Sequence, residues 1–412
     1  MVMLKIKIIS VVFLVFCAFI EPNYGQTVFQ FKGKQKKTQI KFVRAAGLIV
    51  LKTYLNNKGP FNFILDTGVG MAIITDPDIK DSLNLKNMRT ITLMGLGKER
   101  EIKAHLAPEI KINIENVVAE KIGAAFLEND VLNLSSYAGI KIHGLIGYEF
   151  FNSFIVKTYF EREYLVVKKR DATILVKKGY KIPISIEQNK PYTFIVIESN
   201  DNKVYKLKML IDSGAGHAMS LESLDSAGFP LSKPYIASNL GIGLGGKIDG
   251  FIGRVKLLKI GHLEIPNVLA SFPSYEDVGE KITIVKRNGS IGSRLLNHYN
   301  VTYNYAKKYI YLNPRTKKVP YFEHDMSGLE ISAAGEDFNR YVINKVYENS
   351  DAERAGLQVN DELLRINFKN VSEMGLEEIL EIFKSRDGRN IYLELIRGNQ
   401  SILTIVTLKK VI

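Results

Sequence analysis

One short word is written twice in this chain, as Asp66-Thr67-Gly68 and Asp212-Ser213-Gly214, each behind an apolar run, Phe63-Ile64-Leu65 and Met209-Leu210-Ile211. Two further landmarks keep the same spacing. Gly144-Leu145-Ile146-Gly147 returns as Gly289-Ser290-Ile291-Gly292, and Gly95-Leu96-Gly97 returns within the glycine-rich Gly241-Ile242-Gly243-Leu244-Gly245-Gly246. The offset is about 146 positions in each case. Three landmarks in one order at a near-constant offset argue for a duplicated domain, so the chain must fold as two like halves.

Both halves read as mostly β. Short runs rich in Ile, Val, Tyr and Phe alternate with Gly, Asn and Lys turns, as in Lys111 to Val118 and Tyr192 to Glu198. Short helical turns are expected at Tyr148 to Asn152 and Ser293 to Asn297, each leading into a strand-like run. The seam between halves is expected near Lys168 to Lys178. Residues 313–327, with Pro314, Pro320 and several charges, read as a linker. Beyond it the pattern changes to a strand at Tyr341 to Val346, a helix with one apolar face from Leu376 to Lys384, and two final strands around Gly398-Asn399-Gln400. The division is therefore 1–25, 26–170, 171–322 and 323–412.

Residues 1–25 read as a secretory signal. Lys5 and Lys7 precede an apolar stretch from Ile8 to Ile20, and a polar Glu21-Pro22-Asn23-Tyr24-Gly25 follows. The apolar run falls short of the roughly 20 residues a membrane span needs. The only cysteine, Cys17, lies inside it, behind Phe16 rather than the small residue a lipid-anchored precursor wants. An exported protein whose mature chain has no disulfide fits the periplasm or cell envelope of a bacterium. The formal charge of +13 is uneven: residues 323–412 carry about 11 Lys/Arg against 16 Asp/Glu, leaving about +18 on the rest. A basic body favours anionic envelope surfaces and acidic substrates. No motif points to nucleic acid. Six scattered histidines lack metal-ligand spacing, so neither metal nor cofactor is expected.

Two carboxylates, one from each half, suit hydrolysis by an activated water, because a close pair cannot both ionise and must share one proton. The doubled motif resembles the active site of retropepsin-like aspartyl proteases, and the resemblance spans about 27–322. It implies a bilobal fold of duplicated β-barrel lobes, with Asp66 and Asp212 as the catalytic pair. Thr67 and Ser213 would bond across the seam, and Gly68 and Gly214 would allow close backbone approach. Gly95, Leu96 and Gly97, with Gly243, Gly245 and Gly246, match the tips of flap hairpins. Leu145-Ile146-Gly147 and Ser290-Ile291-Gly292 match the element that crosses beneath the active-site loops, Ser290 departing from its apolar pattern. Val69 and Ala215 stand where pepsin-like relatives place a hydroxyl, so activity is expected at mildly acidic to near-neutral pH.

Residues 327–412 resemble a bacterial PDZ domain. Gly328-Leu329-Glu330-Ile331 stands at the place of the loop that captures a peptide's terminal carboxylate while the peptide adds a strand to the sheet. Asn360 and Phe368 replace glycines usual in that family. The combined expectation is a monomeric aspartic endopeptidase acting on protein or peptide substrates, with the PDZ domain recruiting those that carry suitable C-terminal tails. The rival from another class is a catalytically silent envelope peptide-binding protein that keeps the protease fold.

Overall fold

The computed structural model describes residues 29–93, 95–97, 101–174, 178–225, 227–282 and 286–412. The expected signal segment 1–25 and Cys17 lie outside them. The chain is mainly β, as its alternating patterns require. Among the described residues, each half builds one large sheet, of nine strands in the first and eight in the second.

The duplication is visible strand by strand. In the first half Lys58–Leu65 delivers the chain to Asp66, and Gly144–Ile146 runs parallel beside it, Ile146 opposite Leu65. In the second half Val204–Ile211 delivers the chain to Asp212, and Gly289–Ile291 runs parallel beside it, Ile291 opposite Ile211. All the residues of both crossing strands are buried. That burial explains why they read as continuous apolar or small runs rather than alternating ones.

The halves are not independent bodies. A third sheet takes Lys37–Lys41, Phe154–Tyr159 and Tyr164–Lys169 from the first half and Tyr180–Pro183, Tyr299–Asn304 and Tyr309–Pro314 from the second. The join is Val156 opposite Tyr303. One apolar core runs through both halves from Phe29 to Leu312, and it also takes in Phe322 and the C-terminal Ile412. The stretch expected as a linker is exposed over most of 314–321 and packs into the core from Phe322 onward. Phe322 is fully buried, and His324 and Met326 nearly so.

The C-terminal sheet runs in the order Leu329–Ala334, Arg340–Val346, Glu362–Ile366, Asn390–Arg397 and Gln400–Thr407, with Leu376–Phe383 closing its own core. Asn360 and Phe368 adopt φ of +71° and +69°, the left-handed conformation their glycine counterparts would take. Phe368, 76% exposed, stacks on Tyr392 with ring centroids 4.5 Å apart.

Candidate active site

Asp66 and Asp212 end their strands in matching positions. The Asp66 N–H donates to the Ile146 carbonyl at 2.8 Å, and the Asp212 N–H donates to the Ile291 carbonyl at 2.9 Å. Each crossing strand thus fixes the backbone of one aspartate. Each carboxylate then accepts an N–H from its own loop, Gly68 to Asp66 Oδ1 at 2.6 Å and Gly214 to Asp212 Oδ1 at 3.1 Å.

The loops grip each other across the seam. Thr67 Oγ1 donates to the Ile211 carbonyl at 2.6 Å and accepts the Ser213 N–H at 2.9 Å. Ser213 Oγ donates to the Leu65 carbonyl and accepts the Thr67 N–H, both at 3.0 Å. All four bonds are buried, where an unmade bond costs more than a made one gains. They set each loop's glycine against the opposite carboxyl group, so that the two aspartates face each other across the seam. Glycine is required at both third positions: a Cβ on Gly68 would stand 2.8 Å from the Asp212 carboxylate oxygens, and one on Gly214 would fall inside the Asp66 carboxyl.

Burial, reinforced by the neighbouring Asp212 charge, holds the Asp66 carboxyl well above the usual carboxylate range. The pair therefore keeps a proton at pH values where isolated aspartates have lost theirs. Val69 and Ala215 both line the cavity above the pair.

The expected flap residues meet one another. The hairpin of Arg89–Leu93 and Ile102–Ile114 presents Gly95-Leu96-Gly97, and the hairpin of Tyr235–Gly243 and Gly246–Ile260 presents Leu244-Gly245. Tip meets tip where the Gly245 N–H donates to the Leu96 carbonyl at 2.7 Å. Gly95 backs onto Leu244, and Gly243 onto the Leu96 carbonyl. Gly246 has φ +93° and closes the second turn.

Ser290 departs from the repeat for a reason in the second half. Its Oγ lies 2.9 Å from Nε2 of His217, and burial pushes that imidazole down to about 4. The matching positions in the first half are Met71 and Leu145, an apolar pair. An ion pair is also repeated at the same spacing: Lys141 Nζ is 3.0 Å from Asp76, and Arg287 Nε is 2.9 Å from Glu222. The second copy is deeply buried and stands beside the cleft. Sequence reading passed over both pairs, although spacing acid and base by the repeat offset would have found them. It also missed Tyr137, on the short helix Leu134–Ala138, whose hydroxyl sits against Gly216 beside the second loop.

The expected carboxylate loop lies at the far end of the same cavity, whose volume is about 1930 Å³. Gly328 has φ +77°, and Leu329, Glu330 and Ile331 begin an edge strand that, among the described residues, pairs only with Arg340–Val346. The helix Leu134–Ala138 of the first half packs along this strand. Glu330 accepts the Asn239 N–H of the second flap hairpin at 3.3 Å and a bond from the Tyr347 hydroxyl.

Residues 51–150 match the family model described as aspartyl protease, and residues 342–397 match the one described as PDZ domain. No curated protein gives a significant match. Among solved structures, the chain is similar to the HtrA3 PDZ domain bound to a phage-derived ligand (FGRWV), at 20% identity and a TM-score of 0.17, covering 19% of this chain and 80% of that one. The chain therefore carries an aspartyl protease region followed by a PDZ domain, in the order its sequence implied.

Proposed function

We propose that this chain is an aspartic endopeptidase that hydrolyses peptide bonds within one polypeptide's own cleft. The observation that carries the reading is the approach of Asp66 and Asp212 from opposite halves, held by the reciprocal Thr67 and Ser213 bonds; the two are read as sharing one proton. Asp66, whose burial favours its neutral form, keeps the shared proton, and its partner serves as the base. The base takes a proton from a water lying between the carboxyls, and the water oxygen bonds to the scissile carbonyl carbon. The Asp66 proton passes to the carbonyl oxygen, giving a neutral tetrahedral diol. Collapse breaks the C–N bond as Asp212 gives the proton it took from water to the leaving nitrogen, and a diol hydroxyl returns its proton to Asp66, which restores the starting state. The flap tips, touching at Leu96 and Gly245, would part to admit the chain and close to exclude water.

The PDZ domain recruits substrates through extended tails laid against the Leu329–Ala334 edge, from which the helix Leu134–Ala138 packed along it must first move aside. Export to an envelope compartment, with attraction of the basic body to anionic surfaces, is part of the same proposal and rests on sequence alone.

The deciding experiment measures cleavage of an unfolded protein by the wild type and by Asp66→Asn and Asp212→Asn. Either substitution removes one member of the proton-sharing pair, and a loss of at least 10³-fold with retained fold is expected. Equal activity in all three proteins would overturn the assignment of the two aspartates, and no cleavage by the wild type would favour a silent peptide binder.

A further inference from the structure

The two antiparallel registers give the dyad unequal neighbours. In the first half Val50 stands opposite Ile64 and Leu51 opposite Phe63, so continuing the register sets Leu48 opposite Asp66. In the second half Tyr192 stands opposite Leu210 and Thr193 opposite Met209, which sets Lys190 opposite Asp212. Leu48 and Lys190 are thus equivalent positions of the repeat, and both side chains line the catalytic cavity. Duplication has left an alkyl group in one place and an ammonium in the other.

Lys190 follows a two-residue turn like the one before Leu48, where Ala46 and Gly47 have φ of +48° and +76°. Gln188 and Asn189 have φ of +45° and +63°, and Asn189 Nδ2 donates to the Gly70 carbonyl at 3.2 Å, tying the tip to the first active-site loop. Lys190 is half-buried, and among the described residues no carboxylate lies within ion-pair distance of it. The charges facing it are Arg287, Asp212, Asp66 and Glu222. Glu222 is already paired with Arg287, and the two aspartates face each other and are bonded to their loops. Burial lowers the ammonium's pKa, reinforced by the Arg287 charge. A cation desolvated without a counterion is unfavourable, and a carboxylate brought by a ligand relieves it. At the matched positions Met71 and Leu145 are apolar where His217 and Ser290 are polar, and Ser290, His217 and Arg287 line the cavity on the side of Lys190.

We infer that the cleft is specific for peptides carrying an apolar side chain in the subsite bounded by Leu48 and a glutamate or aspartate in the subsite bounded by Lys190, on the other side of the scissile bond. The inference rests on the peptidase reading and names its substrate class.

The test uses internally quenched peptides with glutamate or glutamine at each position within three residues of the bond cut. Comparing kcat/KM for each pair within one protein cancels differences in folding and in the dyad's own protonation. A preference for glutamate of about 10-fold or more is expected on one side only. It should fall to about 1 in Lys190→Leu, which copies the first half, and turn toward glutamine in Lys190→Glu. A glutamate preference that survives Lys190→Leu, or glutamate favoured nowhere, overturns the inference. If the wild type cuts no peptide, the peptidase reading fails instead. The inference is then decided by equilibrium binding of the same peptides to the Asp66→Asn protein and to its Lys190→Leu derivative, with the same ratios expected.

Discussion

Thr67 and Ser213 hold each other symmetrically: each hydroxyl accepts the other residue's N–H and donates to a carbonyl of the opposite half. Thr67→Ala would leave the buried Ser213 N–H and Ile211 carbonyl without partners. A destabilisation of about 2–4 kcal/mol is expected, with a fall in kcat from the loosened dyad. Ser213→Ala should behave alike, and the double variant should cost less than the sum, because both act on one network. Urea unfolding and steady-state kinetics on all three check this. Strict additivity would show the bonds to be independent.

Arg287 and Glu222 form a buried ion pair beside the cleft, with Glu222 1% exposed. Arg287→Met should cost about 3–5 kcal/mol by stranding the Glu222 charge. Adding Glu222→Leu should recover most of that loss. Thermal unfolding distinguishes this from a catalytic effect. A double variant as unstable as the single would mean that Arg287 matters for something other than neutralising Glu222.

Glu149, on the helix Tyr148–Ser153, has a buried Oε2 without a hydrogen-bond partner, and burial pushes its carboxyl from 4.5 up to about 7. Between those values the folded chain binds the proton more tightly than the unfolded chain. This contribution to stability is fully present below pH 4.5 and lost as pH rises through 7. Glu149→Gln should therefore gain on the wild type by on the order of 2 kcal/mol at pH 8 and by nothing at pH 4. Unfolding free energies across that range test the sign.

Val69 and Ala215 offer no hydroxyl to the dyad. Val69→Ser and Ala215→Thr should add a donor to the ionised form and lower the dyad's apparent pKa values. Both limbs of the pH–rate profile should move toward acid, by roughly half a unit to one unit. No movement, or movement toward base, would refute the argument.

The C-terminus is part of the protease core. Ile412 is 7% exposed within that core, and Glu323 lies 2.9 Å from Lys410 and 3.6 Å from Arg254. Deleting 323–412 should thus destabilise the catalytic body as well as remove the PDZ groove. Ile412→Ala alone should cost about 2–4 kcal/mol. The cleaner probe of recruitment is Leu380→Lys, on the helix side of the groove. It should slow cleavage of tailed proteins and spare short peptides. Equal effects on both substrate types would reduce the PDZ domain to a structural role.

The meeting of Asp66-Thr67-Gly68 with Asp212-Ser213-Gly214, and of the two glycine-rich tips, was legible because each sits in a contiguous word that recurs at one spacing. Asp66-Thr67-Gly68 encodes its own turn, and a second copy marks its mate. The meaning of Ser290 was not legible, since its partner His217 reaches it only across adjacent strands. Nor was the packing at the end of 313–327, whose prolines and charges read as a linker although Phe322 enters the core.

The sequence by itself determined the duplication, the β character and the two carboxylates, all of which are local patterns repeated along the chain. Tertiary structure decided the sheet shared between halves, the meeting of the flap tips, the return of Ile412 to the core and the pairing of Lys190 with Leu48 as unequal mates. Each depends on strand register and on contacts between residues far apart in the chain. A one-residue change in register would turn those side chains to the opposite face without altering any local pattern.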